Sequence, residues 1–445
     1  MSENQIHPKK WRHYQKRLKR KARVKSLLER APRLGVYGVA SFLVIAVICF
    51  AGSWLLANWR DMPPTKEDLP KLPEVILWAK KDLPGVLNKV DLVFPKKEPG
   101  VFSLEKEGET YTIEFSLDGD LQNFSTKLLR RSLTRQAAVV VMRPETGQVL
   151  ALVNFQNGAS DQAGNLCLKA DYPAASLFKI VSAAAAIEAR DFTPDKTLAY
   201  RGRRYTLYKS QLKKGTGRYT TKVTFEKAFS KSINPVFGKI GIFDLGRELL
   251  VEYAGKFLFN LQIPFDLPLA ASNFQAPEDD FGLAEIASGF NKKTLISPLH
   301  AALITAAVAN GGTVMEPWLV KRVRDASNNI VYNANPSKLS KVIEEGTAKN
   351  LKTMMAETVL TGTCHKAFRS IRRKKAFKGV ELGAKTGTIN DPSDRYKIDW
   401  LSAYALSDKK KGGICVGILA VHGKMLGIRA KDLGREIIKH YFSSK

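Results

Sequence analysis

Alternation of apolar and polar residues predicts strands just after residue 100. The stretch "TYTIEFSLD" predicts a strand, and "LQNFSTKLLRRSL" has the spacing of an amphipathic helix. The stretch "AAVVVMRPETGQVLALV" predicts a hairpin, because the turn sequence "PETG" separates two runs rich in β-branched residues. We therefore expect a globular region that begins with strands and one helix.

Helical spacing dominates the middle of the chain. It covers residues 176–190 and 225–240, and "SPLHAALITAAVANGG" begins with Ser-Pro and ends at Gly311, as helices commonly do. Strand patterns return in "VELGAKTGTI", "WLSAYAL" and "GICVGILAVHG", before a last helix around residues 431–441. We expect an α/β (α+β) fold in which strands from both chain ends form one sheet, with an all-helical region between them.

A long apolar run precedes this region. Residues 34–59 contain no charged side chain, and about 20 apolar residues suffice to cross a bilayer. The run ends in Trp54 and Trp59, which are typical of the membrane interface. We expect one transmembrane helix. A cleaved signal peptide is the alternative, although its apolar core is typically only about 7–15 residues.

The net charge of +29 is unevenly spread. Twelve Lys and Arg side chains lie between Lys9 and Arg33, so the first 34 residues carry +10. This flank predicts a cytoplasmic N-terminus, with the rest of the chain outside the cytoplasmic membrane, and it suits anionic lipid. Nucleic-acid binding is disfavoured, because the tract adjoins an apolar run. Once the +10 and Arg60 are subtracted, residues 61–445 keep +18, which suits anionic envelope polymers or simply a solvated surface.

Four segments follow from these patterns. We expect a basic cytoplasmic N-terminus at residues 1–33, the transmembrane helix at 34–59, a juxtamembrane spacer at 60–99 and a globular domain at 100–445. The spacer holds seven of the twenty prolines, mixed with charge. The four cysteines have no C-x-x-C spacing and the six histidines are scattered, so we expect no disulfide framework and no metal site. We expect Cys167, Cys364 and Cys415 to be small buried apolar residues, and the sequence leaves their pairing open.

The stretch "DYPAASLFKIVSAAAAIEA" places a lysine where a charge is unexpected. Lys179 is the only charged side chain between residues 174 and 187, and it follows Ser176 by three positions at a predicted helix start. Desolvation lowers the pKa of a lysine in apolar surroundings, and the neutral amine can take a proton from a nearby hydroxyl. The alternative is a lysine whose stem packs while its head reaches water.

Two further motifs distinguish this Ser-x-x-Lys from the other three in the chain, which lack the apolar helical setting. Ser232-Ile233-Asn234 is a weak signal alone, whereas Lys385-Thr386-Gly387-Thr388 holds the only Lys-Thr-Gly of the sequence. The three motifs in this order form a specific combination.

With these motifs the chain resembles the penicillin-binding protein and serine β-lactamase superfamily, and within it the transpeptidase domain. The resemblance spans about residues 105–440 and includes "RPETGQVLALV", "TLISPLHAALITAAVANGG", "LKTMMAETVLTGT" and "DWLSAYAL". It implies a penicillin-binding or β-lactamase-like fold, in which the sheet built from both chain ends is antiparallel.

The resemblance also implies roles for single residues. Ser176 would attack the penultimate D-alanine carbonyl of a peptidoglycan stem peptide, and Lys179 would be its general base. Ser232 would relay a proton to the leaving nitrogen, and Asn234 would orient the lysine amine and the substrate backbone.

The Lys-Thr-Gly-Thr motif would bind substrate. Lys385 would help to keep Lys179 neutral and, with Thr386 and Thr388 around Gly387, would receive the terminal carboxylate. Backbone N–H groups of Ser176 and Thr388 would form the oxyanion hole. No cofactor and no metal is implied.

The implied function is a membrane-anchored D,D-transpeptidase that cross-links stem peptides through an acyl-enzyme, is acylated by β-lactams and works with a separate glycosyltransferase. The same site allows a D,D-carboxypeptidase or endopeptidase, and a non-catalytic β-lactam sensor or scaffold is a further alternative. A β-lactamase is disfavoured, because "SIN" replaces "SDN" and nothing obvious activates a deacylating water.

The sequence departs from the usual pattern in three places. We expect no glycosyltransferase domain before the domain, and about 40–45 residues after the span are too few for the large N-terminal module of many relatives. Phe290-Asn291 stands where such domains commonly have Gln-Gly, and we expect Phe290 to belong to the core.

Overall fold

The computed structural model describes residues 19–20, 78–87, 100–157, 164–215, 217–408 and 412–443. Val75–Lys445 form one unit, and only this unit is described below. The transmembrane helix predicted at residues 34–59 lies outside the described residues. Among the residues that are described, no helix is long and apolar enough to cross a membrane.

The strands are numbered along the chain. They are β1 (Val101–Lys106), β2 (Glu109–Phe115), β3 (Gln136–Met142), β4 (Val149–Gln156), β5 (Tyr172–Pro173), β6 (Thr197–Arg201), β7 (Thr220–Thr224), β8 (Leu295–Ile296), β9 (Thr313–Met315), β10 (Val320–Arg324), β11 (Ile330–Asn333), β12 (Lys338–Lys341), β13 (Glu381–Asn390), β14 (Lys397–Leu406) and β15 (Ile414–His422).

The α-helices are numbered in the same way. They are α1 (Leu83–Leu87), α2 (Gly119–Arg130), α3 (Lys179–Arg190), α4 (Phe225–Ser230), α5 (Asn234–Lys239), α6 (Gly246–Lys256), α7 (Asp280–Ser288), α8 (Pro298–Ala309), α9 (Glu345–Leu360), α10 (His365–Arg372) and α11 (Ala430–Ser443). A 3-10 turn, Ala175–Phe178, leads into α3, and a π-helical turn, Ile240–Leu245, follows α5.

One antiparallel sheet joins the two ends of the domain, which confirms the prediction. Its order is β13-β14-β15-β3-β4. Successive side chains of β3 alternate between two buried clusters, because a strand points its residues to opposite faces: one cluster contains Ala138, Val140 and Met142, and the other Ala137, Val139 and Val141. Helix α8 packs on the first face and α11 on the second, so the sheet is covered on both sides.

The expectation of an all-helical region between the chain ends is wrong. Strands β10 and β11 lie in that region and pair with β1 and β2 in a second antiparallel sheet of order β1-β2-β10-β11. The short pairs β5–β8, β6–β7 and β9–β12 also interrupt the helices. A register shift between Val320 and Arg322 breaks the alternation of β10, and two-residue strands are too short to show any alternation at all.

Part of the predicted spacer packs against the second sheet. The N–H of Trp78 donates to the carbonyl of Val331 at 2.9 Å, and Leu83 and Leu87 are fully buried. Lys80 forms an ion pair with Glu316 at 2.9 Å. The globular unit therefore includes residues 78–87, which the sequence placed in the spacer.

Burial of Cys167, Cys364 and Cys415 was also predicted, and the structure confirms it. Cys167, Cys364 and Cys415 are free and buried, and desolvation raises the pKa of each thiol. Cys49 lies outside the described residues.

We expect Gly417→Ala to lower the free energy of unfolding by about 1–3 kcal/mol, because the added methyl overpacks the contact between β15 and α8. A Cβ at Gly417 would lie 2.2 Å from the carbonyl oxygen of Pro298 and 2.7 Å from the Ala302 nitrogen. Urea denaturation measures the effect. The control Gly423→Ala adds the same methyl where no atom lies within 4 Å, and equal stability of the two variants would contradict the prediction.

Candidate active site

Ser176 and Lys179 meet at the start of α3. Ser176 lies in the 3-10 turn, three residues before the lysine, so both side chains emerge on one side. Lys179 Nζ and Ser176 Oγ are 2.9 Å apart, and Lys179 is fully buried. Burial first, and the charge of Lys385 second, lower the pKa of Lys179 well below its ordinary value.

Two carbonyl groups complete the surroundings of the Lys179 amine. Nζ donates to Asn234 Oδ1 at 2.8 Å and to the carbonyl oxygen of Ser288, at the end of α7. A neutral amine has two N–H groups and one lone pair. Because the two carbonyls accept both N–H groups, the lone pair remains for the hydroxyl proton of Ser176.

The break between α4 and α5 presents the Ser-x-Asn motif. Ser232 has a positive φ of 55°, which turns the chain between the two helices, and α5 begins at Asn234. Asn234 Nδ2 donates to the carbonyl of Tyr205 at 3.1 Å, and the backbone N–H of Asn234 donates to that of Arg204 at 2.7 Å. These contacts fix the amide so that Oδ1 faces Lys179.

Lys385 brings a second buried amine to the site from β13. Its Nζ donates to Ser232 Oγ at 3.0 Å and to the carbonyl of Thr386 at 2.9 Å. Burial lowers the pKa of Lys385 to about 7. The side chain is therefore poised between its charged and neutral forms near neutral pH.

Two glycines allow neighbouring elements to approach the nucleophile. Gly289, at φ 62°, ends α7, and a Cβ there would lie 2.0 Å from the carbonyl oxygen of Ala175. Gly387 lets β13 approach the 3-10 turn, since its Cβ would lie 3.1 Å from that of Ala175. Ala175 itself has a positive φ of 48°, so the turn before Ser176 is strained and held by its surroundings.

The threonines of the Lys-Thr-Gly-Thr motif have protein partners. Thr386 Oγ1 lies 2.7 Å from Thr363 Oγ1, and Thr388 Oγ1 donates to Asp399 Oδ1 at 2.9 Å. The hydroxyl proton of Thr388 is thus directed to Asp399. Its backbone lies on β13, the edge strand of the sheet.

Asp399 is held in turn by the start of α11. Arg429 Nε donates to Asp399 Oδ2 at 2.6 Å, and the backbone N–H of Ala430 donates to the same oxygen at 3.0 Å. Burial alone would raise the pKa of Asp399, but its neighbours His422, Arg429 and Thr388 hold it well below its usual range. The carboxylate therefore stays ionised and anchors Thr388.

The structure thus groups Ser176, Lys179 and Asn234, and beside them Lys385, Ser232 and Thr386. The sequence argument missed Thr363, Asp399, Arg429 and the Ser288 carbonyl. Asp399 could have been recognised as the only acidic residue in the apolar strand "KIDWLSAYAL". The Ser288 carbonyl could not, because every residue has a backbone carbonyl.

The expectation for Phe290 is wrong. Its side chain is 40% exposed, because Gly289 ends α7 in the left-handed conformation and directs the chain outwards. The next residue, Asn291, closes a local turn by donating from Nδ2 to Thr294 Oγ1 at 3.0 Å. Among the described residues, no group of His, Cys, Asp and Glu could hold a metal ion.

Family comparison identifies the class of this fold and site. The family model for the penicillin binding protein transpeptidase domain matches residues 137–439, so the chain belongs to this family. The peptidoglycan D,D-transpeptidase PbpA of Mycobacterium tuberculosis is 26% identical over 344 residues, which cover 68% of this chain and 66% of that protein.

A further relative and two solved structures are also similar to this chain, and the solved structures support the fold. Stage V sporulation protein D of Bacillus subtilis is 28% identical over 273 residues, 57% of this chain and 40% of that protein. The chain therefore spans less than two thirds of the length of these two relatives. The imipenem acyl-enzyme complex of penicillin-binding protein A from M. tuberculosis matches with a TM-score of 0.61 and 22% identity, covering 74% of this chain and 79% of that one. The D,D-transpeptidase domain of a peptidoglycan glycosyltransferase from Eggerthella lenta matches with a TM-score of 0.60 and 22% identity, covering 74% and 82%.

The lowered pKa of Lys385 predicts a pH dependence of stability. Between about pH 7 and the ordinary lysine pKa of 10.5, only the unfolded chain keeps this proton, so unfolding takes up a proton and stability rises with pH. The contribution approaches about 1.4 kcal/mol per pH unit. We expect the Lys385→Met variant to lack this pH-dependent contribution. The free energy of unfolding of the variant, relative to that of the wild type, should therefore fall as pH rises from about 7 to about 9.

Urea denaturation across this pH range measures the difference. The control Lys375→Met removes an exposed lysine and tests whether loss of a lysine alone changes the slope. A constant gap between wild type and Lys385→Met would contradict a buried amine with a pKa near 7.

Proposed function

We propose that this chain is a serine D,D-transpeptidase that cross-links peptidoglycan stem peptides and is acylated by β-lactams. The observation that carries the proposal is the fully buried Lys179 amine, 2.9 Å from Ser176 Oγ with its N–H groups directed to two carbonyls. This arrangement supplies a neutral base for a serine hydroxyl.

Acylation begins with transfer of the Ser176 hydroxyl proton to Lys179 Nζ. Ser176 Oγ forms a bond to the carbonyl carbon of the penultimate D-alanine, and the carbonyl oxygen becomes an oxyanion that the backbone N–H groups of Ser176 and Thr388 stabilise. When the intermediate collapses, the peptide C–N bond breaks. The leaving nitrogen takes, through Ser232, the proton that Lys179 received, so Lys179 becomes neutral again and free D-alanine departs.

Transfer completes the cycle. The amine of a second stem peptide attacks the acyl carbon and gives a proton to neutral Lys179 Nζ as the cross-linking amide bond forms. Ser176 Oγ leaves and takes that proton from Lys179. If water attacks instead, the product is a shortened peptide and the reaction is that of a carboxypeptidase. In a β-lactam, the ring amide takes the place of the scissile peptide bond and its nitrogen stays attached to the acyl group.

Lys385 serves the substrate carboxylate in this proposal. Its Nζ lies at Ser232 Oγ, beside Thr386, so a protonated Lys385 places positive charge next to the hydroxyls of the site. Because the Thr388 hydroxyl donates to Asp399, we assign the side-chain hydrogen bonds to the carboxylate mainly to Ser232 and Thr386.

The names of relatives support this function. PbpA of M. tuberculosis is called a peptidoglycan D,D-transpeptidase, and structures of that protein are described as acyl-enzyme complexes with imipenem and penicillin G. The basic tract and apolar run of residues 1–59 support a single-pass anchor in the cytoplasmic membrane, with the N-terminus inside and the domain outside. A separate glycosyltransferase would supply the glycan strands.

We expect the full-length wild type to form a one-to-one covalent adduct with a fluorescent penicillin, and Ser176→Ala to form none, because the variant lacks the attacking oxygen. Intact mass measured over hours follows the adduct. The control Ser103→Ala removes the serine of another Ser-x-x-Lys, on strand β1, and should label like the wild type.

Each outcome separates the alternatives. A persistent adduct supports the proposal, and rapid loss would indicate a β-lactamase. No adduct on folded protein would favour the non-catalytic binding or scaffold alternative. Incubation of a stem-peptide substrate with an amine acceptor then distinguishes cross-linked product from the hydrolysed product of a carboxypeptidase.

Acylation should also depend on pH in two directions. As pH falls through the lowered pKa of Lys179, the base becomes protonated and acylation slows. As pH rises through about 7, Lys385 loses its charge and attracts the β-lactam carboxylate less. We expect a bell-shaped profile for the second-order acylation rate constant. Lys385→Met should be slower overall and lack the alkaline limb, and an unchanged alkaline limb in this variant would contradict the assignment.

A further inference from the structure

A cationic segment, defined as residues 201–222, lies beside the candidate active site. It contains eight Lys and Arg residues and no Asp or Glu. These residues are Arg201, Arg203, Arg204, Lys209, Lys213, Lys214, Arg218 and Lys222. All of them except Arg201 are exposed, and among the described residues none of the eight takes part in an ion pair. Like charges concentrated in this way repel one another unless an anion lies among them.

A buried glutamine orders part of the cationic segment. Gln211 Nε2 donates to the carbonyls of Arg201 and Arg203 at 3.0 and 3.2 Å. Its Oε1 accepts from the backbone N–H of Tyr208 at 2.9 Å and from Thr206 Oγ1 at 3.2 Å. The amide therefore satisfies its two donor and two acceptor positions within the segment, and these bonds hold residues 201–211 in a defined path despite their charge.

Exposed aromatic rings accompany the cations. Tyr205, Tyr208 and Tyr219 are 58%, 62% and 80% exposed. Arg218 lies 5.9 Å from the ring centroid of Tyr219. Flat exposed rings next to cations suit a ligand that has apolar faces as well as negative charge.

The cationic segment is connected to the reacting groups through backbone. The carbonyls of Arg204 and Tyr205 accept the two hydrogen bonds that fix Asn234, and Asn234 Oδ1 accepts from Lys179. A ligand held at Arg204 and Tyr205 would therefore lie close to Asn234, which contacts Lys179. Binding energy gained away from the reacting bond can serve to position that bond.

We infer that the cationic segment binds glycan strands whose stem peptides carry free carboxylates, with sugar rings against the tyrosines and carboxylates among the cations. This inference rests on the proposed function and extends it by placing the polymer on a second surface. A glycopeptide polymer matches both features of the segment, charge and exposed rings, and it is the polymer that must reach Ser176.

The test uses the full-length protein with Ser176→Ala, so that ligand is not consumed. One triple variant is Lys213→Gln, Lys214→Gln and Arg218→Gln in the segment. The control triple is Lys366→Gln, Arg369→Gln and Lys375→Gln, which removes the same charge from exposed positions in and after α10. The ligands are soluble uncross-linked glycan strands and the same strands with amidated stem carboxylates.

We expect the segment triple to weaken binding of the carboxylate-bearing strands about tenfold, the control triple to change it little, and amidation to abolish the difference. Tyr219→Ala should weaken binding of both strand forms, because ring stacking needs no charge. Equal weakening by both triples, or an unchanged difference after amidation, would overturn the inference. So would segment-dependent binding of an oligonucleotide or a phosphatidylglycerol vesicle without segment-dependent glycan binding.

A separate readout distinguishes this inference from the proposed function. In the background that retains Ser176, both triples should react with a small fluorescent penicillin at the wild-type rate, because no changed residue contacts the reacting groups. If the segment triple is acylated normally and also binds glycan strands as before, the inference about the cationic segment is refuted and the proposed function stands. Absence of acylation in the wild type would refute the proposed function.

Discussion

The cost of burying two amines governs this site. Lys179 and Lys385 are both fully buried, and in the described part of the chain neither takes part in an ion pair. Water solvates an ammonium far better than a protein interior does, so burial favours the neutral amine, and the charge of one lysine opposes the charge of the other. The surrounding groups are carbonyls and hydroxyls, which accept from an amine without requiring it to be charged. A carboxylate beside Lys179 would raise the pKa of the lysine and keep its amine protonated, and a protonated amine cannot act as a base.

Much of this arrangement could be predicted from the sequence, because local rules fixed it. The apolar setting of Lys179, the β3–β4 hairpin and the Ser-Pro start of α8 depend on residues close in the chain. The four-stranded sheet was not predicted, since a register shift breaks the alternation of β10 and hides this strand in the sequence pattern. Arg429 and the carbonyl of Ser288 were missed for another reason, because their partners Asp399 and Lys179 belong to other elements.

Phe290 shows how composition can mislead. A large apolar side chain was assigned to the core on its identity alone, yet the preceding Gly289 is required by the close approach of α7 to Ala175. The left-handed conformation of Gly289 at this contact sets the direction of the chain, and with it the direction of the Phe290 side chain. Ala175 and Ser232 also have positive φ angles. Each position carries about 1–3 kcal/mol of backbone strain, which the fold tolerates because these conformations bring the reactive groups together.

The main sheet has a consequence for the order in which the domain becomes reactive. Its interior strand β15 comes from the C-terminal end and pairs with β3, so Val416 lies opposite Val141. During synthesis β3 emerges long before this neighbour, and until then it presents an open strand edge, which is prone to wrong pairing. Ser176 and Lys179 are likewise made early, but Lys385 joins them only when β13 docks beside their turn. The second buried amine therefore reaches the site only after β13 has been synthesised and has paired in the sheet.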